Sequence, residues 1–369
     1  MPSTPLQELL ESARLANARG EHDALVRPAA DALARAEASE HTAAAAEAGL
    51  LLAPGLFGQA RYTDSVRHGQ AARRRWQQAG DDEQACAALR VVVHGLMEAG
   101  ALAPAMTAAR EAFDLAEARG LLGEAVQTMV LVGTLHGRLL QFYDGEVLLM
   151  QALSRAREQR SAAYDALATG ALVVLLGNAR EVHLREGRAE EAAAAARHLE
   201  RHALHLHRLA HAETHRGRRA VQLGNAGEGL ARCGRTDAAA AALAESLAMA
   251  REEGLAVVAL AALVRTGRLQ LAQQQFEAAG HTLAALQEAL QSEPHDEAQE
   301  DSWELQAALQ RHRGEPAEAD ALEARVADAR GVRQRRAAEL HAELNLAADA
   351  RVLPARLHAL ETRALPPRG

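Results

Sequence analysis

Lysine and isoleucine are absent from this chain, and all 41 of its basic residues are arginine. That pair of absences follows the codon bias of a GC-rich genome. It also removes chemistry: there is no lysine to reach nucleotide phosphates and none to form a Schiff base. Only nine of 369 residues are aromatic, and no segment alternates as a strand would, so an all-α protein is expected. The two cysteines, Cys86 and Cys233, stand far apart and read as free thiols of a reducing compartment. No apolar run approaches membrane length, and the N-terminus lacks the charged and apolar regions of a secretory signal. A cytoplasmic protein without a membrane partner is the expectation. The net charge of −8 argues against a general nucleic-acid footprint. Arg73–Arg75 and Arg216–Arg219 read as solvated helix faces, and the acidic run 293–301 as a solvated loop. No Ser-His-Asp set, phosphate loop or His-Glu-x-x-His motif occurs, so neither an enzyme nor a cofactor is expected.

What the chain does contain is a ruler. Gly20, Ala60, Gly100, Leu140, Gly187, Gly234, Gln274 and Gly314 are separated by 40, 40, 40, 47, 47, 40 and 40 residues. Five residues after each mark stand Leu25, Ser65, Ala105, Gly145, Ala192, Ala239, Ala279 and Ala319. Seven residues before each stand Ala13, Ala53, Val93, Gly133, Arg180, Gly227, Gly267 and Ala307. Small side chains dominate both positions, as close crossing of two helices requires. Glycine at a mark suits a helix C-terminus, and Asp237 after Gly234 suits the first turn of the next helix. Self-similarity of this kind predicts about eight helix-turn-helix units over residues 1–330, stacked as a solenoid, with capping helices in 331–369. The seven extra residues in each 47-residue step amount to two helical turns, about 10 Å.

These residues resemble the tetratricopeptide repeat family. The small–Gly–small spacing and the aromatic after the turn appear at Ala53, Tyr62 and Ser65 and again at Gly267, Phe276 and Ala279. Trp303 lies eleven residues before Gly314, where the family favours tryptophan. The resemblance covers residues 4–330 and points to a long-helix variant, because the family's basic period is shorter than 40. It implies a right-handed superhelix whose first helices line a concave groove. A second similarity lies in the tail. Ala347–Arg351 and Leu357–Arg363 look like the connecting helices of bacterial proteins that join a repeat array to a diguanylate cyclase or kinase domain, although no such domain follows in this sequence. Helices are expected at Val332–Ala348 and Ala355–Ala364.

Two constellations could carry function. Arg138, Arg185 and Arg232 each stand two residues before a mark, and Asn178 and Asn225 nine before. Seven residues apart on a helix, Asn and Arg share a face, so adjacent repeats should present the same pair in the same direction. Arg supplies a fork for a carboxylate and Asn a donor and an acceptor. Arg90, His94, Glu181, Glu228 and Arg268 should flank the same groove. The second constellation is a histidine run. His198, His202 and His205 should share one helix face, and His207, His211 and His215 roughly the opposite one. The first three are metal candidates by spacing, but a solvated face is the preferred reading, and no metal is expected. The chain therefore reads as a protein- or peptide-binding scaffold in bacterial signalling, holding an acidic or extended partner segment. The alternative is a ligand-responsive sensor that passes a curvature change through its C-terminal helices. Oligomeric state stays open.

Overall fold

The computed structural model describes residues 5–344 apart from 20 and 60. Among the described residues there are sixteen helices and no strand. In chain order they are α1 (Pro5–Arg19), α2 (His22–Ala38), α3 (Thr42–Gly58), α4 (Tyr62–Ala79), α5 (Asp82–Glu98), α6 (Leu102–Arg119), α7 (Leu122–Arg138) and α8 (Phe142–Glu158). There follow α9 (Ala162–Arg185), α10 (Ala189–Ala212), α11 (Arg216–Arg232), α12 (Thr236–Glu252), α13 (Ala256–Ala272), α14 (Phe276–Ser292), α15 (Asp296–Arg313) and α16 (Pro316–Leu344). They form eight consecutive helix pairs, the arrangement of an all-α helical repeat array. The odd-numbered helix of each pair is called A and the even-numbered one B. Among the described residues, those up to 155 together with 333–344 form one compact unit and residues 156–332 a second.

The ruler has a backbone cause. Every mark within the described residues has positive φ: Gly100, Leu140, Gly187, Gly234, Gln274 and Gly314. A second series, not evident from side chains alone, lies between them at Glu40, Gly80, Gly120, Arg160 and Gly254. Each such residue closes a Schellman cap. After α11, for example, Gly234 N–H donates to the Ala231 carbonyl (3.0 Å) and Arg235 N–H to the Leu230 carbonyl (2.9 Å). Arg235 is at once the N-cap of α12. Helix, left-handed residue and next helix thus repeat about every 20 residues. Two turns depart from this form, before α11 and before α15. There an extended histidine caps the helix with Nδ1: His215 accepts from Arg218 N–H at 3.3 Å and His295 from Ala298 N–H at 3.2 Å.

The small positions are where the helices of a pair cross. All eight residues five after a mark are buried. A Cβ on Gly133 would sit 2.6 Å from Leu149 Cγ and 3.3 Å from the Gly145 carbonyl. One on Gly227 would sit 2.8 Å from Leu243 Cγ and 3.3 Å from the Ala239 carbonyl. The same crossing is therefore built in two repeats, one in each unit. Within each unit successive A helices touch (α1–α3–α5–α7; α9–α11–α13–α15), whereas successive B helices are less engaged.

Several expectations are corrected. The extra residues of the two 47-residue steps fall in the two helices of one pair. α9 and α10 have 24 residues each, where most helices have 17. The added turns are at the start of α9 and the end of α10, so the pair stays matched and projects about 10 Å further. α9 is also long and apolar enough to cross a membrane by length and composition, contrary to the expectation of no such run. Its apolar residues are largely buried among helices, which accounts for them. Residues 296–301 are not loop but open α15, where their acidic side chains favour the helix dipole. Val332 does not start a new helix, since α16 runs unbroken from Pro316 to Leu344. The expected tail helix at 355–364, like the run 347–351, lies outside the described residues.

The marks without glycine carry strain that can be measured. Leu140 has φ 60° and an exposed side chain, so Leu140→Gly should stabilise the fold by about 0.5–1 kcal/mol in chemical denaturation. Gly234→Ala, at φ 75° with open space around it, should destabilise by about 1 kcal/mol through backbone strain alone.

Candidate functional site

The ten residues singled out for partner contact divide between the two units. Arg90, His94 and Arg138 fall in the first, and Asn178, Glu181, Arg185, Asn225, Glu228, Arg232 and Arg268 in the second. All lie on A helices. In the first unit Arg138 is already engaged: Nη1 donates to the Met97 carbonyl (3.1 Å) and Nη2 to Glu98 (2.6 Å), at the end of α5. Arg90 bridges to Glu124 of α7 at 2.9 Å and also bonds Gln127. His94 packs edge-on to Phe57. Its surroundings, and then the cations of Arg90 and Arg138, hold its pKa well below the usual imidazole range, although part of the ring reaches solvent.

In the second unit the residues join into one network. Arg232 of α11 donates to the Asn178 carbonyl oxygen (3.1 Å) and pairs with Glu181 (3.2 Å) and Glu228 (2.7 Å). Arg265 of α13 donates to the Asn225 carbonyl oxygen (2.9 Å) and to Glu228 (2.7 Å). Arg268 reaches Asp301 (2.6 Å) and Glu304 (3.3 Å) of α15, and Glu304 is shared with Arg330 of α16 (2.6 Å). Burial by itself would raise the pKa of Glu228, but the cations of Arg265, Arg232 and Arg268 outweigh it and hold the carboxylate below its ordinary range.

The network rests on a repeated sequence. Leu176-Gly177-Asn178-Ala179-x-Glu181 recurs 47 residues on as Leu223-Gly224-Asn225-Ala226-x-Glu228. Each copy cradles one guanidinium from the following A helix. A Cβ on Gly177 would collide with the Arg232 guanidinium, and one on Gly224 would lie 2.9 Å from Arg265 Nη1. The glycine is the floor, the Asn oxygen and the Glu carboxylate the walls. The Asn and Arg seven apart on one helix do not bond each other. Arg232 reaches back to Asn178 of the neighbouring repeat, while Asn225 is held by Arg265, which sequence reasoning missed. The signal was present: two mid-helix glycines in one register, each preceding an asparagine, with only four asparagines in the chain. Arg185 differs from both. It is exposed, and its contact among the described residues is a 3.4 Å bond from Nε to the Glu181 carbonyl.

The histidine run also separates. His202 is 5 % exposed, and burial, reinforced by Arg201 and His198, lowers its pKa to about 4. His205 sits 2.9 Å from Asp165, which Thr169 (3.0 Å) and Arg157 (3.2 Å) also hold. His198 is exposed. The three metal candidates thus point into different environments. Among the described residues no group of three or more His, Cys, Asp or Glu gathers as metal ligands. His215 is not on this helix at all, because α10 ends at Ala212.

No family model and no curated protein matches the chain. Its fold is similar to solved structures at low identity. One is a Rap protein complexed with Competence and Sporulation Factor: TM-score 0.63, 14 % identity, covering 91 % of this chain and 90 % of that one. Another is the Rap conjugation gene regulator of the plasmid pLS20 in complex with the Phr* peptide: TM-score 0.56, 15 % identity, covering 80 % and 77 %. At such identity the likeness shows the repeat fold.

Two measurements test the geometry. Gly177→Ala should destabilise by about 1–2 kcal/mol because Arg232 loses its bed, whereas Gly280→Ala, in the open on α14, should stabilise by up to about 1 kcal/mol. Equal shifts in urea denaturation would remove the cradle. Because His202 is neutral when folded and charges more readily when unfolded, stability should fall as pH drops from about 6.5 to about 4. His202→Leu should flatten that slope by up to about 3 kcal/mol over the interval.

Proposed function

We propose that this protein is a non-enzymatic peptide-binding scaffold of bacterial cytoplasmic regulation, and that an extended partner segment lies across the A helices of its second unit. The observation that carries this reading is the state of the two asparagines. Each has its side-chain oxygen occupied by an arginine from the following A helix. The amide N–H groups of both are thereby fixed in direction, and among the described residues neither has a recorded partner. Oriented donors of this kind suit the backbone carbonyls of an extended chain. Packed helices stand about 8–10 Å apart and an extended peptide rises about 3.3 Å per residue. Asn178 and Asn225, on neighbouring A helices, thus address carbonyls about three residues apart. The fold likeness to two Rap proteins, one of them in complex with the Phr* peptide, supports the same reading.

Recognition of acidic groups falls first to Arg185, whose fork is open. Arg138 and Arg232 would contribute only if a partner carboxylate displaced Glu98 or Glu181. The sensor alternative draws support from one feature: the ladder continues through Arg268, Glu304 and Arg330 onto α16, so an exchange of partners within it would be felt there.

The test is selection from a bead-displayed library of random linear hexapeptides. Wild type should enrich a sequence set, Asn178→Ala/Asn225→Ala should weaken it by tenfold or more, about 1–1.5 kcal/mol for each lost bond, and Arg185→Ala should remove its acidic bias. Enrichment unchanged in the asparagine variant, or absent in wild type, overturns the reading.

A further inference from the structure

The extended end of α10 brings together His207 and His211, two members of the histidine run that were not among the three metal candidates. His207 and His211, one turn apart, have ring centroids 4.5 Å apart and planes at 82°. Their Nε2 atoms are 3.3 Å apart. A tetrahedral ion bonded to two imidazoles at 2.0–2.1 Å sets its nitrogens about 3.3 Å apart. We infer that His207 and His211 form a two-histidine chelate for a divalent transition-metal ion of the zinc type, at the projecting end of the long helix pair. The two further coordination positions face outward and would be filled by water or by donors from a bound molecule.

The groups around the pair set its strength. His207 is half-buried and His211 exposed, so an ion has access from one side. Burial, followed by the neighbouring His211, lowers the pKa of His207. Arg219 of α11 works against the ion. Its Nη2 lies 3.2 Å from His211 Nδ1 and also binds Glu245 of α12. A guanidinium only donates, so Nδ1 accepts and the His211 proton is on Nε2, directed at His207. To bind metal, His211 must move that proton to Nδ1, where it faces Arg219. Without the arginine, Nδ1 would no longer face a cationic donor, and moving the proton there would cost less. The site is thus braked by one side chain. Its failure would leave the peptide reading untouched, since no residue is shared.

The experiment is Zn²⁺ binding to the full-length protein, read by competition with a chromophoric chelator and by thermal unfolding with and without EDTA. Wild type should bind one competing equivalent and melt higher with Zn²⁺ than with EDTA. His211→Ala should lose that equivalent and the melting shift while melting like wild type in EDTA. Arg219→Gln should tighten binding about tenfold, and His198→Gln, elsewhere on the helix, should leave it unchanged. The inference is overturned if His211→Ala retains the equivalent, if Arg219→Gln fails to tighten it, or if His198→Gln removes it.

Discussion

A left-handed residue about every twenty positions is the constraint on which the rest of the structure depends. It ends one helix with paired backbone bonds and hands the chain to the next helix within three residues. Because the hand-over is the same at nearly every turn, helix length is set, and with it the register that brings a small residue of helix A over a small residue of helix B. Glycine serves this best, yet Glu40, Leu140, Arg160 and Gln274 also adopt the conformation. Tertiary packing outweighs their local cost of about 1 kcal/mol. The two turns that lack the motif use histidine caps instead, and both lead from a B helix into an A helix.

The second organising element is the arginine laid over glycine. It links α9 to α11 and α11 to α13 through side chains alone, beside the apolar contacts of the core. Desolvating a guanidinium is costly, and a cradle of one amide oxygen and one or two carboxylates offsets that cost only when every donor is met. Arg232 meets three partners and Arg265 two. The consequence for recognition is that most charge on this wall is spent internally. On the reading proposed above, neutral amide donors and the exposed guanidinium of Arg185 are left to meet a partner.

The fold was legible in the sequence because it is periodic. Positive φ falls on glycine often enough to expose the ruler, and the crossing positions tolerate only small residues, so both leave a compositional trace. The alternate turns at Glu40 and Arg160 were not legible, since nothing about glutamate or arginine announces a left-handed backbone. The site was partly legible. Asn178, Asn225, Glu181, Glu228 and Arg232 do come together, but periodicity says only that they face one way. It does not say that an arginine reaches backwards across helices, and Arg265 stands in the asparagine register without resembling it. His202 and His211 show the same limit: helical spacing places both on α10, while burial of one and exposure of the other depend on neighbours distant in sequence.

The matched lengthening of α9 and α10 bears on how such an array changes over evolution. A solenoid hairpin tolerates growth only in whole heptads, and only if both strands of the hairpin grow alike. A single insertion of seven codons in one helix would leave a ledge with no opposing wall, exposing leucines until a second insertion arrived in the other. The intermediate would be aggregation-prone, so the two gains are expected to have been inherited together, as one recombination event that copied a longer unit. Variation in repeat length would then proceed by exchange of complete hairpins between arrays, with the turn residues serving as the natural junctions.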